Sequence, residues 1–126
     1  MRNLLVTGGC GFIGSNFINY FFHKHKNINI YNLDAMYYCA DEMNIQEEIR
    51  NSERYKLIKG NLCSFDLLNH ILSIYQIDTI IHFAAQSHVQ DSFTDSFKYT
   101  NDNILGTHTL LEASRLYGKI TKFIHI

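Results

Sequence analysis

Residues 7–14 read Thr7-Gly8-Gly9-Cys10-Gly11-Phe12-Ile13-Gly14. The apolar segment before this stretch, 3–7, predicts a buried strand, and the apolar spacing over 12–25 predicts an amphipathic helix. A glycine-rich turn between a strand and a helix lets the backbone approach a diphosphate, whose charge then lies on amide donors at the helix N-terminus. The glycines fit two registers, and both predict the same chemistry: Gly9-x-Gly11-x-x-Gly14 and Gly8-x-x-Gly11-x-x-Gly14.

Asp34 stands twenty positions after Gly14, at the end of a second predicted strand over 29–33. An acidic residue at this distance can accept hydrogen bonds from the hydroxyls of an adenosine ribose. The alternative is that Asp34 only caps the loop that follows. Ala35 and Met36 follow Asp34, so no cationic side chain directly after it could bind the 2′-phosphate of NADP. The sequence therefore predicts NAD rather than NADP as the ligand.

The composition is that of a globular protein of one domain, which we place over residues 1–126. The chain is 46% hydrophobic and 18% charged, with a net charge of −1. This balance favours neither nucleic acid nor an anionic membrane as a partner. We find no signal-peptide pattern and no run long enough to cross a bilayer, so we expect a cytoplasmic protein. The three cysteines are widely spaced, which favours free thiols over a metal site or a disulfide.

Strand-like and helix-like segments alternate along the whole chain, which predicts crossover units and a parallel sheet. We expect a loop over 34–44. Further strands are predicted at 55–59, 79–83 and 122–126, and further helices at 45–51, 65–75 and 93–117, the last of them ended by Gly118. The predicted fold class is α/β, a Rossmann-type doubly wound parallel sheet.

The sequence ends inside the fifth predicted strand, at Ile126. A parallel strand normally leads into a crossover that covers its sheet. We therefore expect the N-terminal part of a longer protein, with the sheet truncated after about five strands. An uncovered sheet face and an open edge favour association, so we expect a homodimer or a larger assembly.

Asn61 follows the third predicted strand, at the edge of the sheet where ligands bind in this fold class. Its amide could simply favour the turn. It could equally face an adenine ring, where its oxygen would accept from the exocyclic amine. The sequence leaves both interpretations open.

Residues 82–88 end the fourth predicted strand. Ala84 and Ala85 leave room for a flat ligand against the backbone, although alanine is also an ordinary packing residue. Ser87 and His88 offer a hydroxyl and an imidazole near the expected position of a nicotinamide or a phosphate. We therefore predict that this segment lines the cofactor, and His88 as a catalytic base remains an alternative.

Two Tyr-x-x-x-Lys pairs could in principle join a phenol to an ammonium that lowers its pKa. Tyr20 and Lys24 fall on the first helix, beyond the phosphate turn. Tyr55 and Lys59 fall on a strand, where four residues span about 13 Å. We predict that neither pair performs chemistry at the ligand site.

These residues together resemble the extended short-chain dehydrogenase/reductase superfamily and, within it, the nucleotide-sugar 4,6-dehydratases. The first motif alone marks the superfamily, whereas 82–89 followed by Ser92 is more specific to the dehydratases. The resemblance covers nearly the whole chain in the family's order, through residues 7–16, 33–34, 82–89, 103–107, 110–113 and 122–125.

The resemblance implies a tightly held NAD that is reduced and reoxidised within one turnover. Hydride leaves C4 of the sugar, water is lost across C5 and C6, and hydride returns to C6. The family's Tyr-x-x-x-Lys base and Thr-Asp-Glu run lie past the position of Ile126, so we expect no catalytic residue in this chain and no turnover by it. By position, the residues implied to contact NAD are Gly8, Gly11, Phe12, Ile13, Gly14, Asp34, Asn61, Leu62, Ala84, Ala85 and Ser87, with Ser87 and His88 implied near the nucleotide-sugar substrate.

The chain departs from the family pattern at three positions. Asn61 replaces the usual Asp, which keeps one acceptor but loses the charge and could weaken adenine binding. Ala35 replaces a Lys, and Asp102 replaces a frequent Thr. Residues 38–41 and 103–113 look closer to the UDP-glucose type than to the dTDP-glucose type. A nucleotide-sugar 4-epimerase and a non-catalytic nucleotide-binding or dimerising module remain the alternatives.

Overall fold

A five-stranded, entirely parallel sheet forms the centre of the protein, in the order β3-β2-β1-β4-β5. The computed structural model describes residues 1–37, 40–85 and 93–126. The sheet order reverses direction at β1, which is the arrangement of a doubly wound fold and confirms the predicted class. The strands are β1 Asn3–Thr7, β2 Asn29–Asp34, β3 Tyr55–Lys59, β4 Thr79–His82 and β5 Lys122–His125.

The central strand β1 is buried from Leu4 to Thr7 and divides two hydrophobic cores. Alternate side chains of a strand point to opposite faces, so Leu4 and Val6 enter one core and Leu5 the other. Ile18 and Phe22 of the first helix pack in the first core. Both faces of the strand are covered, and this explains why its apolar residues are consecutive and do not alternate with polar ones.

Three helices follow the first three strands, close to the predicted positions: α1 Phe12–Lys24, α2 Glu47–Arg50 and α3 Phe65–Ile74. Helix α2 is shorter than the predicted 45–51, because Ile45 and Gln46 have extended backbone angles. The predicted loop over 34–44 contains one 3-10 turn, Glu42–Asn44, which Asp41 caps by accepting from the Met43 amide at 2.8 Å.

The single helix predicted over 93–117 is wrong in part. The structure has a short helix α4, Ser96–Thr100, a π-helical segment, Asn101–Leu105, and a helix α5, Gly106–Tyr117. Asp95 caps α4 by accepting from the Lys98 amide at 3.2 Å. The predicted end is confirmed, since Gly118 adopts a left-handed φ of 76°. Within the described ranges, none of the helices combines the length and the apolar character needed to cross a membrane.

The outer strand β5 is much more exposed than the centre of the sheet. Ile124 is 38% exposed, and Ile126, directly after the strand, is 66% exposed. Exposed apolar side chains at an outer strand are in line with the expectation of association, which stays a prediction.

Candidate functional site

A cavity of about 510 Å³ opens at the carboxyl ends of the strands. Each of the five strands contributes residues that directly follow it. Open parallel sheets bind ligands at this edge, where the strand order reverses. The lining residues are Gly8, Gly11, Phe12, Ile13, Gly14, Leu33, Asp34, Ala35, Tyr37, Ala40, Gly60, Asn61, Leu62, Phe83, Ala84, Ala85, Asp102 and Ile126.

Within the glycine turn (residues 7–14), the amides of residues 8–11 are hydrogen-bonded to other groups of the protein, and these bonds hold the turn in place. One acceptor is a carbonyl of the turn itself and the others belong to β2. The pairs are Gly8 N to Leu33 O (2.9 Å), Gly9 N to Asn32 Oδ1 (3.0 Å), Cys10 N to Asp34 Oδ2 (2.9 Å) and Gly11 N to Gly8 O (3.3 Å).

The next three backbone amides, those of residues 12–14, have no carbonyl acceptor within helix α1. The first helical hydrogen bond of α1 runs from Ser15 N to Gly11 O at 3.0 Å, so the amides of residues 12–14 precede it. No side chain caps this end, and the first turn carries no acidic residue. Because all three of these residues line the cavity, the positive end of the helix dipole is directed to it.

Three glycines of the turn leave no space for a side chain, and the fourth does. Gly8 has a φ of +73°, and a Cβ there would lie 2.7 Å from the Ala84 Cα. A Cβ on Gly14 would press on the Gly8 carbonyl and lie 2.8 Å from the Gly9 Cα, and one on Gly9 would overlap the side chains beneath it. A Cβ on Gly11 would find only the Gly8 oxygen, at 3.5 Å. The packing of the fold therefore does not require a glycine at position 11.

Asp34 lies at the end of β2 and is 8% exposed. Its Oδ2 accepts from the Cys10 amide at 2.9 Å and its Oδ1 from the Met36 amide at 2.8 Å. The loop-capping role considered from sequence is therefore present. Each carboxylate oxygen can accept a second hydrogen bond, so capping and ligand binding are compatible at this residue.

Asn32, which the sequence reasoning missed, supports the turn from below. Its Oδ1 accepts from Gly9, and its Nδ2 donates to the Tyr55 hydroxyl at 3.0 Å and to the Cys10 sulfur at 3.4 Å. Burial, reinforced by the charge of Asp34, raises the pKa of the Cys10 thiol to about 11, so this thiol is protonated at neutral pH. The signal in the sequence that could have revealed the role of Asn32 is a polar residue within an otherwise apolar part of a predicted strand.

Asn61 adopts the turn role and also lines the cavity. Its Oδ1 accepts from the Cys63 amide at 2.8 Å, and its Nδ2 donates to the Tyr37 hydroxyl at 3.3 Å. Tyr37 in turn donates to Asp102 at 3.2 Å, and the Lys98 ammonium lies 3.6 Å from the centre of the tyrosine ring. Sequence reasoning did not find this role for Tyr37, since the loop over 34–44 has no clear period.

The structure brings ten of the predicted cofactor residues together around the cavity, and their role in binding stays a prediction. They are Gly8, Gly11, Phe12, Ile13, Gly14, Asp34, Asn61, Leu62, Ala84 and Ala85. Ser87, predicted to contact both cofactor and substrate, and His88, predicted near the substrate, lie outside the described residues.

The two Tyr-x-x-x-Lys pairs lie away from the cavity, as predicted. The Lys24 ammonium donates to the Tyr20 hydroxyl at 3.0 Å on the exposed side of α1. Burial raises the pKa of the Tyr55 phenol to about 12, and Lys59 is exposed on β3. Neither pair is among the lining residues.

A second depression of about 510 Å³ lies at the amino ends of the strands. Several of its polar groups are paired with one another. The Arg2 and Asn3 amides both donate to Asp78 Oδ2, at 2.9 and 2.8 Å. Because no helix N-terminus lines it and ligands of this fold bind at the opposite edge, we place the functional site in the first cavity.

Known proteins share this arrangement. A trifunctional UDP-glucose 4,6-dehydratase/UDP-4-keto-6-deoxy-D-glucose 3,5-epimerase/UDP-4-keto-L-rhamnose-reductase of Arabidopsis thaliana is 44% identical over 99% of this chain. The crystal structure of a dTDP-glucose 4,6-dehydratase from Bacillus anthracis in complex with NAD superposes with a TM-score of 0.86, at 34% identity over 99% of this chain. A UDP-glucose 4-epimerase from Thermotoga maritima, solved with UDP-glucose, gives a TM-score of 0.84 at 27% identity over 98% of this chain.

The chain spans only part of each of these proteins, namely 18% of the Arabidopsis protein, 37% of the Bacillus chain and 37% of the Thermotoga chain. The family model described as GDP-mannose 4,6 dehydratase matches residues 5–126, which include the glycine turn, Asp34 and every strand except the start of β1. The chain therefore belongs to the GDP-mannose 4,6 dehydratase family.

Proposed function

We propose that the cavity binds NAD and that the whole protein is an NAD-dependent nucleotide-glucose 4,6-dehydratase, with UDP-glucose favoured as the nucleotide sugar and dTDP-glucose next. The observation that carries this proposal is the placement of three helix amides, those of residues 12–14, in one cavity with the carboxylate of Asp34. Diphosphate and ribose are the two groups that such donors and acceptors recognise.

The diphosphate would lie over the start of α1. The amides of residues 8–11 are already used, so the donors available to an anion are those of Phe12, Ile13 and Gly14. Gly11 gives the anion access, since its open side carries no Cβ. Several charge-assisted bonds to fixed amides supply binding energy without reorganising the turn.

The ribose site favours NAD over NADP. The second acceptor positions of Asp34 suit the two ribose hydroxyls, whereas a 2′-phosphate would meet the charge of this carboxylate. Asp102 adds a second carboxylate, paired with Lys98 at 3.4 Å. Among the described residues that line the cavity there is no Lys or Arg to offset these charges.

The adenine would lie between the loops that follow β2 and β3. Leu62 and Tyr37 supply apolar surface there, and Asn61 supplies an amide whose oxygen, already bonded to Cys63, can accept once more. An amide at this position, where the family usually has Asp, is consistent with the predicted weaker contact between Asn61 and the adenine.

Bound NAD would supply a hydride acceptor that receives a hydride from the sugar and returns it in the same turnover. This chain would hold the dinucleotide, and the resemblance implies that the base and the groups that remove water belong to the segment that follows the position of Ile126 in the family. We propose that the 126-residue chain alone does not turn over, and that the product of the whole protein is a 4-keto-6-deoxy sugar on a route to deoxysugars such as rhamnose.

Titration calorimetry on the whole protein tests the NAD site. Replacing Asp34 with Asn should weaken NAD binding by about tenfold or more, because a hydrogen bond to a charged group contributes about 1.5–3 kcal/mol. NADP binding should suffer less, so the preference for NAD should shrink. Asp41→Asn is the matched control, since Asp41 also accepts from an amide two residues ahead but does not line the cavity. Absence of NAD binding, or equal effects of both variants, would contradict the proposal.

A nucleotide-sugar 4-epimerase is the second candidate, because the Thermotoga maritima epimerase superposes almost as well as the dehydratase. Incubation of the whole protein with UDP-glucose and with dTDP-glucose separates the two. A dehydratase releases a 4-keto-6-deoxy product, whereas an epimerase changes only the configuration at C4. A non-catalytic nucleotide-binding module would give neither product and still bind NAD.

We also propose that the protein is a cytoplasmic homodimer or larger assembly. Support for association comes from large apolar side chains that are exposed on the helices after β4, with Phe97 at 84%, Ile104 at 66% and Leu116 at 57%. Light scattering at high protein concentration tests this, and a monodisperse monomer would count against it.

A further inference from the structure

His82 ends β4 and is 1% exposed, yet it does not line the cavity. Its Cα is paired with that of Thr7 across the sheet, and Thr7 opens the glycine turn. On its other side lies α5, which follows the π-helical segment. A buried imidazole thus stands between the glycine turn, which borders the cavity, and the helix that follows the π-helical segment, whose Asp102 also borders it.

Hydrogen bonds join these elements through the imidazole. The Thr7 hydroxyl lies 2.6 Å from His82 Nδ1, and the Thr107 hydroxyl lies 2.8 Å from His82 Nε2. The Ala84 amide donates to the Thr7 hydroxyl at 3.3 Å, and the Thr107 hydroxyl donates to the Asn103 carbonyl at 2.8 Å. The chain of contacts therefore runs from the cavity residue Ala84 to the π-helical segment.

The hydrogen bonds at the two ends of this series fix which atom donates and which accepts at each step. Because Thr107 gives its proton to Asn103, its oxygen must accept from His82, which requires a proton on Nε2. Nδ1 is then unprotonated and accepts from Thr7, whose oxygen accepts from Ala84. Burial, with the charge of the stacked His125 as a second cause, lowers the pKa of His82 to about 4, so the ring is neutral near pH 7.

We propose that His82, held as the Nε2–H tautomer, is a positioning residue that fixes the glycine turn and Ala84 relative to the π-helical segment. Gly8 and Ala84 border the cavity on one side of this linkage, and Asp102 of the π-helical segment borders it on the other. The linkage thereby sets the width of the site that the proposed function assigns to NAD, and in this respect it rests on that function.

Thr107→Val tests the proposal, because valine keeps the shape of threonine and removes the acceptor for Nε2–H. Thr109→Val is the matched control. Thr109 is also on α5 and also donates to the carbonyl four residues before it, that of Leu105, at 2.7 Å, whereas the hydroxyl partners of His82 are those of Thr7 and Thr107. Both variants lose one hydroxyl-to-carbonyl bond, so their difference reports on His82.

Nitrogen NMR of the imidazole, recorded without cofactor, should show the Nε2–H tautomer in the unmodified protein and in Thr109→Val. Thr107→Val should lose this preference, and its Ala84 amide should exchange hydrogen faster than in the control. These two readouts do not depend on NAD, so they test the linkage even if the proposed function fails. An Nδ1–H ring in the unmodified protein, or identical spectra and exchange rates for both variants, would overturn the proposal.

Calorimetry with NAD then tests the consequence for the site. Thr107→Val should bind NAD about fivefold more weakly, the effect of one buried hydrogen bond, while Thr109→Val should stay within about twofold. Equal affinities of the two variants would remove the role in positioning the cofactor. Absence of NAD binding in the unmodified protein would instead overturn the proposed function.

Discussion

The glycine turn (residues 7–14) and the helical wall (residues 95–105) border the same cavity but are held in different ways. Beneath the turn, the side chains of Asn32 and Asp34 on β2 accept hydrogen bonds from its backbone amides, and both residues are at most 8% exposed. In the helical wall, Phe97 and Ile104 are 84% and 66% exposed, and the polar contacts include a partly exposed Lys98–Asp102 pair. The difference teaches that buried polar groups of the chain hold the glycine turn, whereas large apolar side chains of the helical wall are exposed to solvent.

The largest effect that would break this contrast is expected from Gly14→Ala. The added methyl would press on the Gly8 carbonyl and the Gly9 Cα, both of them backbone, so we expect a loss of about 3 kcal/mol or more in the free energy of unfolding. Gly11→Ala should change stability by less than about 1 kcal/mol, because its Cβ has room, and should weaken NAD binding. Urea unfolding of both variants checks the stabilities, and equal losses would show that the turn is not rigid.

A second test concerns pH and the link between the two regions. The pKa of His82 is about 6.5 when unfolded and about 4 when folded, so the unfolded state takes up the proton first as the pH falls. The stability contributed by the neutral ring is complete above about pH 6.5 and should be lost by about pH 4, up to about 3 kcal/mol. Urea midpoints measured between pH 7 and pH 4 check this.

His82→Gln is the control for the pH experiment, since an amide does not titrate. The decline in its urea midpoint over the same range should be shallower than in the unmodified protein. His125, whose ring centre lies 4.9 Å away, is retained in both proteins, and the difference between them therefore reports on His82 together with its interaction with His125. Parallel declines would show that other groups carry the acid sensitivity.

Asn32→Leu sharpens the contrast from the side of the turn. The leucine would leave the Gly9 amide and the Tyr55 hydroxyl without their partner in a buried site, so we expect a loss of about 2 kcal/mol. Tyr55→Phe should cost less, because Asn32 keeps its contact with the Cys10 sulfur. Thermal unfolding of the two variants decides, and a neutral Asn32→Leu would mean that the turn does not need its support.

The smallest effect is expected in the helical wall. Lys98→Met removes a cation that lies over the Tyr37 ring and pairs with Asp102, yet the ammonium is partly exposed to solvent. Contacts of this kind contribute less than about 1 kcal/mol. Chemical denaturation should therefore give nearly the same free energy of unfolding for Lys98→Met as for the unmodified protein. A large loss would show that the helical wall depends on these contacts as strongly as the glycine turn depends on its own.

The strands, the glycine turn and the position of Asp34 could be read from the sequence, because periodicity and glycine spacing are local signals. The break in the predicted last helix could not be read in this way. The π-helical segment has no local signature of this kind, and Gly106, which directly follows it, packs against Leu62, where an added Cβ would lie 3.3 Å from the Leu62 Cβ. The support from Asn32 and the contacts of Tyr37 also join residues far apart in sequence, which no local pattern reports.

Cys10 gives the molecule a built-in reporter. The thiol is fully buried beneath the turn, where its own amide is held by Asp34 and its sulfur by Asn32. An alkylating reagent can reach it only when the loop lifts away from β2, since buried thiols are otherwise inert. The rate of covalent labelling at Cys10 therefore measures how often the glycine turn opens, and if the proposed function holds, NAD should slow this labelling.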